Sequence, residues 1–400
     1  MGDPIQSGGP SPAATVEVAE LLPRLDRGDD VLLLDVRNQE EYETWKLEPR
    51  RPVETVHVPY FDFIEDPDAA MARVPHERER EIVVLCAKGG SSEMVVDMLL
   101  ETGVRARNVT GGMVAYGEYL EPVALPLEAA EAARFSIFQV NRRGKGCLSY
   151  VIVSGGEAVV VDPSRDVSWY ETFVAKQSAR LVRVLDTHVH ADHVSGGPEL
   201  ARRSRVPYFV SGGAGFELSH QVTPLEDGQR IGLGGQEGVS IEVRVIHTPG
   251  HTPGSTCFLV DGRYLLTGDT LFVTGVGRPD LGGHVAEWGR DLFFSLRDRL
   301  GDLSPAARVL PAHYGGAAEI SGEGVVWGRL GELRRSVPEL QIETPEEFVN
   351  AVRGAVKDPP AAYAEIIRLN LGGAASEEQI SEWELGKNQC AASVRAPARG

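Results

Sequence analysis

Residues 181–186 (LVRVLD) read as a buried strand, and the chain leaves it directly into Thr187, His188, Val189, His190, Ala191, Asp192 and His193. Three histidines and an aspartate within six residues are poor material for a core. They suit a metal site, because neutral imidazole and carboxylate are common ligands and a strand-to-loop exit lets neighbouring side chains converge. A lone histidine is more often structural than a ligand; an HxHxDH run reverses that expectation. The fold must therefore supply a sheet edge at which further ligands gather.

Three later strand ends carry the same residue types. His247, Thr248, Pro249, Gly250, His251 and Thr252 follow residues 241–246; Thr267, Gly268 and Asp269 follow residues 264–266; Pro311, Ala312 and His313 follow Val309 and Leu310. HxHxDH, GHT, TGD and PAH in that order resemble the metallo-β-lactamase superfamily over about residues 135–370. The resemblance implies an αββα sandwich with its metal site at one edge. It leaves two arrangements open. In a dinuclear centre, His188, His190 and His251 hold one zinc-type ion, Asp192, His193 and His313 hold the other, and Asp269 bridges; such a centre activates hydroxide for hydrolysis. In the persulfide dioxygenase branch, one Fe(II) sits on His188, His251 and Asp269, and His190, Asp192, His193 and His313 are left as second-site or supporting residues. Two histidines and one carboxylate on one face leave positions open for dioxygen and a persulfide sulfur.

Three features favour the dioxygenase branch. His251 and Asp269 stand only 18 positions apart, a short connection typical of it. Residues 271–280 (LFVTGVGRPD) resemble its G-x-G-R-x-D segment, and residues 344–348 (TPEEF) with 359–371 (PPAAYAEIIRLNL) resemble its C-terminal stretch. That branch often carries a cysteine some way after the residue matching Asn370; here Asn388, Gln389 and Cys390 form only a shortened echo.

A second constellation lies upstream. Ile82, Val83, Val84 and Leu85 read as a buried parallel strand, and Cys86 follows it, just before a helix over residues 91–101. A helix N-terminus stabilises a thiolate, and Gly89 and Gly90 let backbone amides curl toward the sulfur. Lys88, Ser91 and Ser92 complete the sulfur loop, either serine being suited to cap the helix. With Asp35, Val36, Arg37, Glu41 and Tyr42 upstream and residues 111–116 (GGMVAY) downstream, this block resembles a single-domain rhodanese. The resemblance covers residues 14–120 and implies a parallel-sheet α/β domain that transfers sulfane sulfur through a Cys86 persulfide. The block departs from that family in keeping only Lys88 of the basic loop residues and in replacing its G-H-I segment with residues 45–58. A non-catalytic docking module is the alternative. Cys147 and Cys257 fall in strands and read as packing residues.

Charge constrains the partners. Forty Lys+Arg oppose 58 Asp+Glu, a net charge of −18, which excludes a general nucleic-acid binder and disfavours an anionic membrane surface. An anionic substrate then needs a local basic feature. Arg278 is the candidate, read as catalytic, with pairing to Asp280 as the competing use of its charge. Arg142, Arg143 and Lys145 read as a solvated hairpin tip. Residues 121–134 read as a linker, 135–374 as the metal domain and 375–400 as a flexible tail. Few, widely spaced cysteines, no signal peptide and no apolar run near ~20 residues imply a cytoplasmic protein; a homo-oligomer is compatible with the sequence.

Together the resemblances imply a rhodanese fused to a persulfide dioxygenase. It would oxidise a low-molecular-weight thiol persulfide, such as glutathione persulfide, with O2 to sulfite, using one Fe(II). The alternative is a glyoxalase II-like thioester hydrolase with two zinc ions and a non-catalytic rhodanese-like module.

Overall fold

The computed structural model describes residues 14–75, 80–211, 222–234, 241–280, 282–355, 362–388 and 391–392. The chain divides into two compact units, Met1–Tyr119 with Arg142–Lys145, and Leu120–Asn141 with Gly146–Gly400. No helix among the described residues is long and apolar enough to cross a membrane.

The first unit is built on a five-stranded sheet in the order Thr15–Val16, Ala106–Val109, Glu81–Leu85, Val31–Asp35, Thr55–His57, with every pairing parallel. Its inner strands are buried on both faces, which is why they read as continuous apolar runs. Leu32, Leu34, Ile82 and Val84 enter one apolar cluster, while Val31, Leu33, Val83 and Leu85 enter the opposite one. The middle strand, Glu81–Leu85, ends at Cys86, and the helix Gly90–Glu101 follows. The carboxyl ends of parallel strands are where ligand sites form in such sheets. Arg142, Arg143 and Lys145, expected in solvent, are buried in this unit, where Arg143 Nη1 lies 2.7 Å from Asp26 Oδ2.

The second unit stacks two six-stranded sheets. One runs Tyr208–Phe209, Arg180–Leu185, Glu157–Val161, Cys147–Ser154, Phe135–Arg142, Leu120–Ala124. The other runs Arg230–Leu233, Ile241–His247, Thr256–Val260, Tyr264–Gly268, Arg308–Pro311, Gly328–Arg329. A central cluster joins them, drawing Ile137, Tyr150 and Val159 from one and Val243, Phe258 and Leu266 from the other. The outer faces pack on helices: Val160 and Val184 against Tyr170 and Leu200, and Leu265 and Val309 against Leu292 and Phe348. This is an αββα layering. Register then collects the ligands. Arg180–Leu185 pairs in parallel with Glu157–Val161, so Asp162 and Asp186 leave the first sheet at one edge. Tyr264–Gly268 pairs in parallel with Arg308–Pro311, so Asp269 and His313 leave the second sheet together.

Two expected spacers have regular structure instead. Residues 121–134 hold most of the edge strand Leu120–Ala124 and the short helix Ala129–Ala132, whose Glu131 is buried and accepts from Tyr264 Oη at 2.6 Å. In the C-terminal stretch, Glu377–Trp383 is a helix started by a capping box between Ser376 and Gln379. Two turns are too few to show periodicity in sequence.

Candidate functional site

The loop after Arg180–Leu185 is pinned before it reaches its histidines. Thr187 N donates to Asp162 Oδ1 at 2.7 Å, and Gly268 closes on Thr187 so tightly that a Cβ there would lie 2.6 Å from its hydroxyl. His188, His251 and Asp269 then meet, with His188 Nε2 3.7 Å and His251 Nε2 3.4 Å from Asp269 Oδ2. All three atoms are buried and have no hydrogen-bond partner. Each ring is oriented through its other nitrogen. His188 Nδ1 is 2.9 Å from Thr187 Oγ1, and His251 Nδ1 donates to the Arg278 carbonyl at 2.9 Å. Burial, with His190 beside it, pushes His188 well below the usual histidine range, and burial likewise lowers His251. Neutral imidazoles with free Nε2 lone pairs facing a bare carboxylate oxygen fit a divalent cation, since buried polar atoms otherwise find partners.

The remaining histidines of the motif part company. His190 groups with Asp162 and Asp186, its Nε2 3.2 Å from Asp162 Oδ1, while its Nδ1 stays buried without a partner. Asp192, His193 and His313 group with Cys147. Asp192 Oδ2 accepts from His313 Nε2 at 2.8 Å and from Cys147 Sγ at 3.2 Å, and Asp192 Oδ1 lies 3.1 Å from His193 Nδ1. His313 Nδ1 reaches Asp269 Oδ1 at 2.6 Å. Burial alone would lower His313, but the Asp192 and Asp269 carboxylates outweigh it and raise it well above its ordinary value. Against burial, Asp192 likewise pushes His193 up to about 10. Burial and Asp192 oppose ionisation of Cys147, His313 and His193 favour it, and the balance lies below the usual thiol range.

Three supporting features escaped the sequence reading. Cys147, taken for a packing residue, belongs to this cluster. Asn370, on the helix Tyr363–Asn370, donates through Nδ2 to the carbonyls of His190 and His193, both at 2.9 Å, and accepts from Ser195 N at 2.9 Å. Buried Glu384, just past the helix Glu377–Trp383, accepts from Val194 N at 2.7 Å and pairs with Arg165 at 3.1 Å. The C-terminal helices therefore hold the backbone of the ligand loop. In the sequence, the resemblance around Asn370 is the one feature that touches these helices.

At Arg278 the structure shows the competing use of its charge, the pairing with Asp280. Its guanidinium is buried and donates to both Asp280 oxygens at 2.8 and 2.7 Å, and its carbonyl receives His251. Gly277 makes that approach possible, because a Cβ there would fall 1.9 Å from the Asp269 carbonyl. Tyr314 donates its hydroxyl to Asn141 Oδ1 at 2.9 Å. Asn388 donates to the Gly146 carbonyl at 3.1 Å, whereas Gln389 and Cys390 lie outside the described residues. Cys257 is buried, and burial pushes its thiol up to about 11, in keeping with packing.

In the first unit, Cys86 Sγ is met by Gly89 N and Ser92 Oγ, each at 3.0 Å. Gly89 adopts a φ of +95°, which turns its amide onto the sulfur. Neither serine caps the helix; Ser92 Oγ instead lies 2.7 Å from Asn108 Oδ1. Gly112 closes the other side, where a Cβ would sit 2.2 Å from the Cys86 carbonyl, and Met113 N donates to that carbonyl at 2.9 Å. Upstream, Arg37 donates to Asp35 and to the carbonyls of Glu41 and Trp45. Lys88 and Gly90 are exposed, Ser91 is half-buried, and Cys86 itself is only 5% exposed.

Comparison with known proteins matches each unit. A model described as the metallo-beta-lactamase superfamily matches residues 142–321, and one described as the rhodanese-like domain matches residues 17–119. An uncharacterised Mycobacterium tuberculosis protein is 34% identical over 209 residues, 44% of this chain and 89% of that one. A hydroxyacylglutathione hydrolase of Anaeromyxobacter dehalogenans is 37% identical over 177 residues, 44% of this chain and 65% of the enzyme. The crystal structure of ETHE1 from Myxococcus xanthus superposes with a TM-score of 0.50 at 26% identity, covering 59% of this chain and 98% of that one.

Proposed function

Because the chain belongs to the metallo-β-lactamase superfamily, with a rhodanese-like domain ahead of its metal-binding fold, we propose that it oxidises a small thiol persulfide with O2 to sulfite and free thiol, using one Fe(II) held by His188, His251 and Asp269. The observation that carries this reading is the asymmetry of the donors. Among the described residues, His188 Nε2, His251 Nε2 and Asp269 Oδ2 are three buried, unpartnered ligand atoms in one group, one from each residue; the neighbouring group leaves His190 Nδ1 and Asp186 Oδ1 so, and no atom of Asp192, His193 or His313 is. Two histidines and one carboxylate are the ligand set of non-haem Fe(II) oxygenases, and Fe(II) bound there would supply open positions for O2 and a sulfur ligand. The likeness to ETHE1 fits the same reading.

Around that centre the chain's own groups act by position. Thr187 and the Arg278 carbonyl hold the two rings with Nε2 inward, and Asn370 and Glu384 fix the loop between them and the helices. In the first unit, the Cys86 thiolate would attack the outer sulfur of thiosulfate, forming a Cys86 persulfide and releasing sulfite. A carrier thiol such as glutathione would take that sulfur, regenerating Cys86 and forming the persulfide substrate; run backward, the same steps consume sulfite. Gly89 N and Ser92 Oγ are placed to stabilise the sulfur anion in either direction.

A second reading, a two-zinc thioester hydrolase with a non-catalytic rhodanese-like module, is favoured by the likeness to the hydroxyacylglutathione hydrolase. Oxygen uptake with glutathione persulfide, measured beside hydrolysis of S-lactoylglutathione, separates the two. The expected result is uptake without hydrolysis; hydrolysis without uptake selects the second. Cys86→Ala should abolish sulfur transfer from thiosulfate and leave oxygen uptake intact, and surviving transfer would remove Cys86 from the scheme.

A further inference from the structure

Cys147 is absent from the ligand sets considered above, yet the fold aims it at them. It begins the strand Cys147–Ser154 and forms a β-bridge with His313. Leu148 N donates to the Ala312 carbonyl at 2.6 Å and Tyr314 N to the Gly146 carbonyl at 3.1 Å, so main-chain bonds on both sides fix the sulfur beside His313. Gly146, with a φ of +76°, permits the approach, since a Cβ there would lie 2.8 Å from the Tyr314 carbonyl. The donor atoms of Cys147, Asp192, His193 and His313 all lie within 4.8 Å of one another. Any ion gripped by the last three would therefore lie against the sulfur.

We infer that Cys147 determines the metal count: its sulfur, held 3.2 Å from Asp192 Oδ2, fills the position of a second ion and keeps the centre mononuclear. Asp192 Oδ2 receives both Cys147 and His313, and no donor atom of this group is a buried orphan, unlike the His188, His251 and Asp269 set. The inference rests on the one-metal reading and adds the residue that enforces it. A side chain that occupies ligand space without completing an open site selects against the dinuclear chemistry that the same motif otherwise supports.

The test is metal stoichiometry of the full-length chain, stripped and reloaded with Co(II), with bound metal counted by mass spectrometry and followed by absorption. The unmutated chain should bind one equivalent at the histidine site and show no sulfur-to-cobalt band that depends on Cys147. Cys147→Ala should bind two. One equivalent in both chains overturns the inference and leaves the one-metal reading standing. Two equivalents in the unmutated chain overturn both, and a sulfur-to-cobalt band lost in Cys147→Ala would make Cys147 a ligand. The count on the unmutated chain keeps the inference open to refutation whatever the yield of the variant, since two equivalents there overturn it.

Discussion

Two sets of metal-type donors share one sheet edge and nearly one sequence motif, yet their surroundings leave them in opposite states. His188, His251 and Asp269 have their outer atoms spent on Thr187, the Arg278 carbonyl and His313, and their inner atoms are free. Asp192, His193 and His313 spend theirs on one another, on Cys147 and, through His313 Nδ1, on Asp269. The first pair of rings is pushed toward the neutral, ligating form, and His193 and His313 toward the charged form that balances two carboxylates. On the proposed one-metal reading, residue type therefore does not decide which set would bind metal; the hydrogen bonds left unmade do.

The sharpest way to break this comparison is to remove one ring from each set. His251→Ala should take bound iron from one equivalent to near zero, with oxygen uptake falling further than the ~100-fold typical of a supporting residue. His193→Ala should keep its iron and lose activity by no more than about that factor. Equal metal loss, read by mass spectrometry, would erase the distinction. Next in size is metal removal. Occupancy at about 100 times Kd stabilises by about 2.7 kcal/mol, so chelation should lower the second unit's unfolding midpoint by roughly 5–10 °C in calorimetry. His251→Ala should show almost no such drop.

Smaller effects come from the loop supports. Asn370→Ala strands the His190 and His193 carbonyls and Ser195 N, which should weaken metal affinity by roughly 10–100-fold and cost about 1–3 kcal/mol. A competition titration with a chromophoric chelator reads the first, and urea unfolding the second. Unchanged affinity would mean the loop holds its ligands unaided. Glu384→Gln keeps an oxygen for Val194 N and loses only the charge that pairs with Arg165, so about 1 kcal/mol and a few-fold in affinity are expected.

The metal edge was legible because its signal is local. His188 to His193 sit in one loop, and His251, Asp269 and His313 each follow a recognisable strand. The Cys86 loop was legible for the same reason, although the donors to the sulfur, Gly89 N and Ser92 Oγ, differ from the expected row of amides and serine cap. Long-range partners were not legible. Cys147 reads as one apolar residue in a strand, and nothing near it in sequence names His313 as its bridge partner. The Arg278–Asp280 pair is legible because it spans two residues, whereas the use of the Arg278 carbonyl by His251 depends on the turn at Gly277. The buried hairpin tip and the C-terminal helix misled for a common reason. Short polar stretches look solvated until the partner that covers them, such as Asp26 for Arg143 or Arg165 for Glu384, is known.

The most direct test of the central claim is the balance of oxygen, persulfide and sulfite for the iron-loaded full chain given glutathione persulfide. A persulfide dioxygenase consumes one O2 and forms one sulfite for each persulfide, with glutathione returned and one iron per chain. No oxygen uptake by a chain carrying two zinc ions would contradict that claim.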